Sequence, residues 1–137
     1  MATQQPLEMI LLRQLATHLA SPVWILEATG ELVFYNEPAE HLLGIQFEEV
    51  GPLVAVELTE MFEVTEADGE PLAESDLPVV DALINRTPAN RLVRFRAKDG
   101  VFRLVEILAV PIVGQGDRFL GVLATFWEPE PEREPEP

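Results

Sequence analysis

Leu7, Ile10, Leu11, Leu15 and Leu19 recur at helical spacing behind Pro6 and predict a helix over about residues 6–20, which Ser21-Pro22 stops. The period then shortens. Pro22–Glu27 and Glu31–Asn36 read as two short strands joined through Ala28-Thr29-Gly30, an antiparallel hairpin. Asn36 suits an N-cap, with Glu37 and Pro38 in the first turn of a helix that runs to about Leu43 and ends at Gly44. Residues 45–75 are broken by Gly51, Pro52, Gly69 and Pro71, which leaves room for short helical turns such as Val54 to Phe62. Asp76 is placed to cap a helix from Leu77 to about Arg86, with Leu77, Val80 and Ile84 on one face.

From Arg91 the pattern alternates: Leu92, Arg94 and Arg96 point one way, and Val93, Phe95 and Ala97 the other. Lys98-Asp99-Gly100 is a hairpin signal, Val101–Val113 a long strand, Gly114–Asp117 a second turn and Arg118–Trp127 the last strand. In that strand Phe119, Gly121, Leu123, Thr125 and Trp127 alternate with Leu120, Val122, Ala124 and Phe126, so both faces are apolar. A sheet wet on one side does not read this way. The expected architecture is α+β: a five-stranded antiparallel sheet, a helical midsection on one face, and the N-terminal helix or a dimer partner on the other.

Charge narrows the function classes. With 9 Lys+Arg against 24 Asp+Glu the 137-residue chain carries a formal −15, so nucleic acid and anionic membrane are not expected partners. No Lys or Arg occurs from Gln14 to Asn85, after which Arg86, Arg91, Arg94, Arg96, Lys98 and Arg103 arrive together. The simplest arrangement sets these two halves side by side. No stretch reaches the ~20 apolar residues of a bilayer span and no basic signal-peptide region opens the chain, which reads as cytoplasmic. The alternating Glu/Pro run over residues 128–137 has no apolar face and is expected to be disordered.

Taken in order, Pro22–Ala39 with Leu42-Leu43-Gly44, Asp68-Gly69-Glu70-Pro71-Leu72 before Leu77-Pro78-Val79, and Lys98-Asp99-Gly100 through Pro111 to Gly121 resemble the PAS family of sensory domains. The resemblance spans about residues 7–127. It implies a flexible N-terminus over 1–5, a PAS-like domain over 6–127 and the tail over 128–137. The family's usual Asp-Ile-Thr exit is replaced by Trp127-Glu128-Pro129. The function implied is a stand-alone sensory or regulatory module in signal transduction, which binds a small ligand noncovalently and signals through a partner. The alternative is a dimerisation or protein-interaction module without ligand. The partner would be a second copy or another signalling protein.

With no cysteine, a covalent flavin adduct and a thioester-linked chromophore are excluded. No histidine lies within residues 77–86, which argues against the family's histidine-ligated haem. Noncovalent flavin or a small apolar or aromatic ligand stays open. The expected wall of a ligand pocket is Val80, Leu83, Ile84, Val93 and Phe95. His18 suits a helix end, and His41 a local pair with Glu37, four residues earlier. No nucleophile–base pair or metal-ligand spacing emerges, so catalysis is not expected.

Overall fold

The computed structural model describes residues 7–129 apart from Pro52. The expected flexible N-terminus over 1–5 and all but Glu128 and Pro129 of the Glu/Pro tail lie outside the described residues. The chain begins with α1 (Leu7–Thr17), followed by the hairpin β1 (Val23–Glu27) and β2 (Leu32–Tyr35). The midsection holds α2 (Glu37–Leu43), α3 (Phe47–Val50), α4 (Ala55–Met61), β3 (Thr65–Glu66) and α5 (Pro78–Asn85). A meander of β4 (Ala89–Arg96), β5 (Phe102–Val113) and β6 (Phe119–Trp127) completes the fold.

The sheet is antiparallel in the order β2-β1-β6-β5-β4-β3. It has six strands where the sequence suggested five. The sixth, β3, pairs only Thr65 and Glu66 with Arg94 and Val93, too short a run to leave an alternation in the sequence.

The midsection face of the sheet is covered, and the opposite face is covered in part, with Phe102 and Leu104 left exposed. Toward the midsection, Val93, Phe95, Val105, Val122, Ala124 and Phe126 bury against Leu43, Leu58, Phe62 and Val79. On the opposite face Met9 and Ala16 of α1 pack with Val23, Ile25 and Leu120. The N-terminal helix of the same chain thus supplies cover for the second face.

Local chemistry sets the boundaries. Asn36 caps α2, its Oδ1 accepting from Ala39 N–H at 3.2 Å, and Gly44 closes that helix in the left-handed region at φ 80°. Asp76 does not cap α5. It lies in a 3₁₀ turn over Glu74–Asp76, and Leu77 holds the N-cap position with no side-chain bond. Pro78 at the first helical position stands where its missing N–H costs nothing.

Two side-chain phases differ from the sequence reading. In α5 the buried residues are Pro78, Val79, Val80 and Ala82, whereas Ile84 is 66% exposed. The solvent side is marked by Asp81 and Asn85, which hydrogen-bond one turn apart. In β6 strict alternation fails at its start. The pairing shifts between Ile112 and Val113, so Leu120 turns toward α1 while Val122, Ala124 and Phe126 keep the midsection side.

The charge asymmetry has a local outlet. Arg91 pairs with Glu66 at 2.9 Å and Arg96 with Glu63 at 3.1 Å, which joins the basic strand β4 to the acidic midsection. His41 lies 3.3 Å from Glu37, both exposed. Among the described residues no helix is long and apolar enough to cross a membrane.

Candidate functional site

Between the sheet and the midsection helices lies an apolar cavity of about 50 Å³. Its floor is a band of directly paired strand residues. Val93 opposes Val105, Ile107 opposes Phe126, and Ala124 opposes Trp24, so four strands contribute neighbours across the ladder. Phe95 extends the band by one step along β4. The roof comes from Leu43 of α2, Leu58 and Thr59 of α4, Phe62 and Val64 after it, and Leu77 and Val79 around the start of α5.

The aromatic rings on this wall are mutually braced. Phe126 meets Trp24 edge to face at 5.3 Å between centroids, and Phe62 meets Phe95 likewise at 6.3 Å. No charged side chain lines the cavity. The indole Nε1 of Trp24 is buried with no hydrogen-bond partner among the described residues.

Of the five residues expected to form a pocket wall, Val93 and Phe95 line this cavity. Val80 is buried in the same core, and Leu83 packs against it from the side, near Gly30. Neither lines the cavity, and Ile84 faces solvent. Val79 is the α5 residue that reaches the wall. The sequence carried a signal for part of what was missed, since Val105/Ile107 and Ala124/Phe126 are the same kind of alternate-position pair as Val93/Phe95. For Trp24, Leu58 and Phe62 no such local signal exists, because their approach is set by the sheet order and by the short turn of α4.

Size is the main chemical constraint. An apolar cavity of roughly 150 Å³ takes benzene, so about 50 Å³ admits a molecule of about two to four heavy atoms. A flavin or a haem is several times larger and does not fit. Among the described residues no group of three His, Cys, Asp or Glu side chains is placed to hold a metal ion.

A family model described as the PAS domain matches residues 10–96. No curated protein matches the sequence. Among solved structures, the PAS domain of a protein from Colwellia psychrerythraea superposes with a TM-score of 0.60 at 18% identity, over 88% of this chain and 95% of that one. The PAS domain of nitrogen regulation protein NR(II) from Vibrio parahaemolyticus gives 0.59 at 19%, over 86% and 97%. A LOV protein of Rhodobacter sphaeroides gives 0.69 at 14%, over 88% and 67%. At these identities the structural likeness bears on fold alone.

Proposed function

Because the chain belongs to the PAS domain family, whose members are generally sensory and signalling modules, we propose that it acts as a cytoplasmic sensor whose core cavity takes a small apolar molecule noncovalently. The observation that supports this reading is the cavity itself. It lies on the paired strand band beneath the helical roof and carries no charge. Its walls belong to β1, β4, β5 and β6 and to α2, α4 and α5, so occupancy bears on the whole midsection. Binding stretches Leu58 and Phe62 away from the sheet, and the roof transmits that shift to a partner.

A ligand this small is held weakly. At a ceiling of about 1.5 kcal/mol per heavy atom, four atoms give a Kd no tighter than tens of micromolar. The test is methyl-detected NMR of the full chain under xenon pressure. The resonances of Leu43, Leu58, Val79, Val93 and Val105 are expected to shift in a saturable way, with those of Leu7 and Leu11 still. Cavity methyls that stay in place at the highest pressure would sink the reading.

A second reading has its own observation. On α1, Leu7, Leu11 and Leu15 are each more than half exposed and stand in one row at four-residue spacing. Phe102 and Leu104, also exposed, lie on the sheet face that α1 leaves open, beside Arg94. Such a surface suits self-association of an interaction module. Light scattering tests it: a concentration-dependent dimer that Leu11→Glu abolishes supports it, and a monomer at millimolar concentration refutes it.

A further inference from the structure

β5 outruns the strand beside it. Its pairing with β6 begins at Glu106, opposite Trp127, so residues 102–105 run on past the end of β6. Ala97 N–H donates to the Val101 carbonyl at 3.0 Å. By the alternation of an antiparallel ladder, the odd-numbered residues of β5 then bond to β4, and the peptide groups of Phe102 and Leu104 turn to the other edge. The side chains of both are exposed, and the Arg94 guanidinium lies 4.0 Å over the Phe102 ring. Neither Arg94 nor Lys98, in the turn before β5, has a carboxylate partner among the described residues, in a chain with 24 acids. An open strand edge of this kind invites a further strand unless something covers it.

The segment next in line fits that edge. Extending the register sets Glu128 opposite Val105, Pro129 opposite Leu104, Glu130 opposite Arg103 and Pro131 opposite Phe102. The start of this line is in place, since Glu128 Oε1 lies 3.6 Å from Arg103 Nη1. Alternation then keeps both glutamates on the Arg103 side and both prolines on the side of Leu104 and Phe102. Phe126 N–H points away from β5, to the Pro22 carbonyl at 3.4 Å, so Pro129 and Pro131 fall where the chain faces β5. They bring carbonyls to accept from Leu104 and Phe102 but no N–H to extend a regular ladder. Charge favours the same place. The half of the chain without Lys or Arg, from Gln14 to Asn85, repels a run of Glu, whereas Arg94, Arg96, Lys98 and Arg103 attract it. Direct linkage to β6 gives this segment a high local concentration that no separate molecule has.

We propose that residues 128–131, of which 130 and 131 lie outside the described residues, run along the 102–104 edge of β5 in the same chain, held by Arg103 and by the N–H groups of Leu104 and Phe102. The acidic tail then guards the place where another extended strand would add, and a partner strand docks there only by displacing it.

Amide hydrogen exchange of the full chain tests it. The Phe102 N–H is expected to exchange about fivefold or more slowly in the wild type than in the double variant Glu130→Lys/Glu132→Lys, the worth of one hydrogen bond. The Glu106 amide, opposite Trp127, is expected to be alike in both, which shows that the variant is folded. The same charge change placed at Glu134 and Glu136 is expected to leave Phe102 as in the wild type. Nitrogen relaxation is expected to show the Glu130 amide as ordered as that of Trp127, and the Glu136 amide far more mobile. Phe102 exchange equal in the wild type and the 130/132 variant, or raised equally by both double variants, would overturn the proposal. So would a Glu130 amide as mobile as that of Glu136. Slow exchange at Phe102 that is lost on dilution would assign the edge to the tail of a second copy and overturn the placement within one chain.

Discussion

The side-chain amide of Asn36 donates to the carbonyl of Ala16 at 2.9 Å, tying the end of the first hairpin to the last turn of α1. The same nitrogen donates to the Ser21 carbonyl at 2.8 Å, and Oδ1 accepts from the N–H groups of Val23 and Ala39. Asn36 is 1% exposed, the buried polar residue of the core, and all four bonds reach backbone. It thus joins α1, β1 and α2 through one side chain. Asn36→Ala removes a bond from four backbone groups, of which the Ala16 carbonyl still accepts from Leu19 N–H at 3.2 Å, and is expected to cost about 3 kcal/mol in urea unfolding. Amide exchange is expected to rise most in α1. Asn36→Asp keeps the acceptor and loses both donors, so it is expected to free α1 as well while retaining more of the α2 cap.

Gly121 opposes Glu27 in the pairing of β6 with β1. A Cβ built there overlaps the carbonyl oxygen of Leu26, and φ is +153°. The obstacle is backbone in the middle of a sheet, which a rotamer change cannot relieve. Gly121→Ala is expected to destabilise the fold by more than about 2 kcal/mol, and Gly116→Ala, which meets open space but holds φ at +67°, by about 1 kcal/mol. Thermal unfolding of the two variants checks the ranking.

These two positions also show what the sequence made legible. Asn36 as a cap followed from the residues after it, because capping is a matter of three or four neighbours. Its reach to Ala16 spans twenty residues and has no local trace. Alternation puts Val93 and Phe95 on one side of β4, and both are buried. Val79 and Val80 could not be told apart in the same way, since α5 reads Pro-Val-Val-Asp-Ala-Leu-Ile-Asn and an eight-residue helix with so few polar residues has little phase. The side of Leu120 depended on a bulge, a backbone event that strict alternation does not encode.

Phe126 and Leu123 test the two-sided burial of the last strand. Phe126 faces the cavity wall at 5% exposure, and Leu123 packs on the α1 side. Phe126→Asp places an unpaired carboxylate among Trp24, Ile107 and Ala124 and is expected to cost more than about 4 kcal/mol, leaving the chain largely unfolded by circular dichroism. Leu123→Asp is expected to cost less, about 2–3 kcal/mol, because α1 can lift away and let water reach the carboxylate. A tolerated Phe126→Asp would contradict the covered midsection face.

Tyr35 gives the fold an alkaline limit. Its ring is buried, its hydroxyl donates to the Ile45 carbonyl at 2.7 Å, and it is the only tyrosine in the chain. Burial, with the charges of Glu40 and Glu49 beside it, raises its pKa well above the ordinary tyrosine value of about 10. The folded state therefore holds a proton that the unfolded chain releases first. The sign follows: this contribution is fully present below about pH 10 and is lost as pH rises from there toward the folded pKa, by up to about 1.4 kcal/mol per pH unit. Tyr35→Phe removes it. At neutral pH the variant is expected to be about 1 kcal/mol less stable, through the Ile45 carbonyl left without its donor. Above pH 10 the gap to the wild type is expected to narrow. Urea unfolding of the pair across this pH range, with tyrosinate absorbance followed in parallel, measures both quantities. A folded protein whose tyrosinate signal appears near pH 10, or a stability gap that does not change with pH, would contradict the buried hydroxyl.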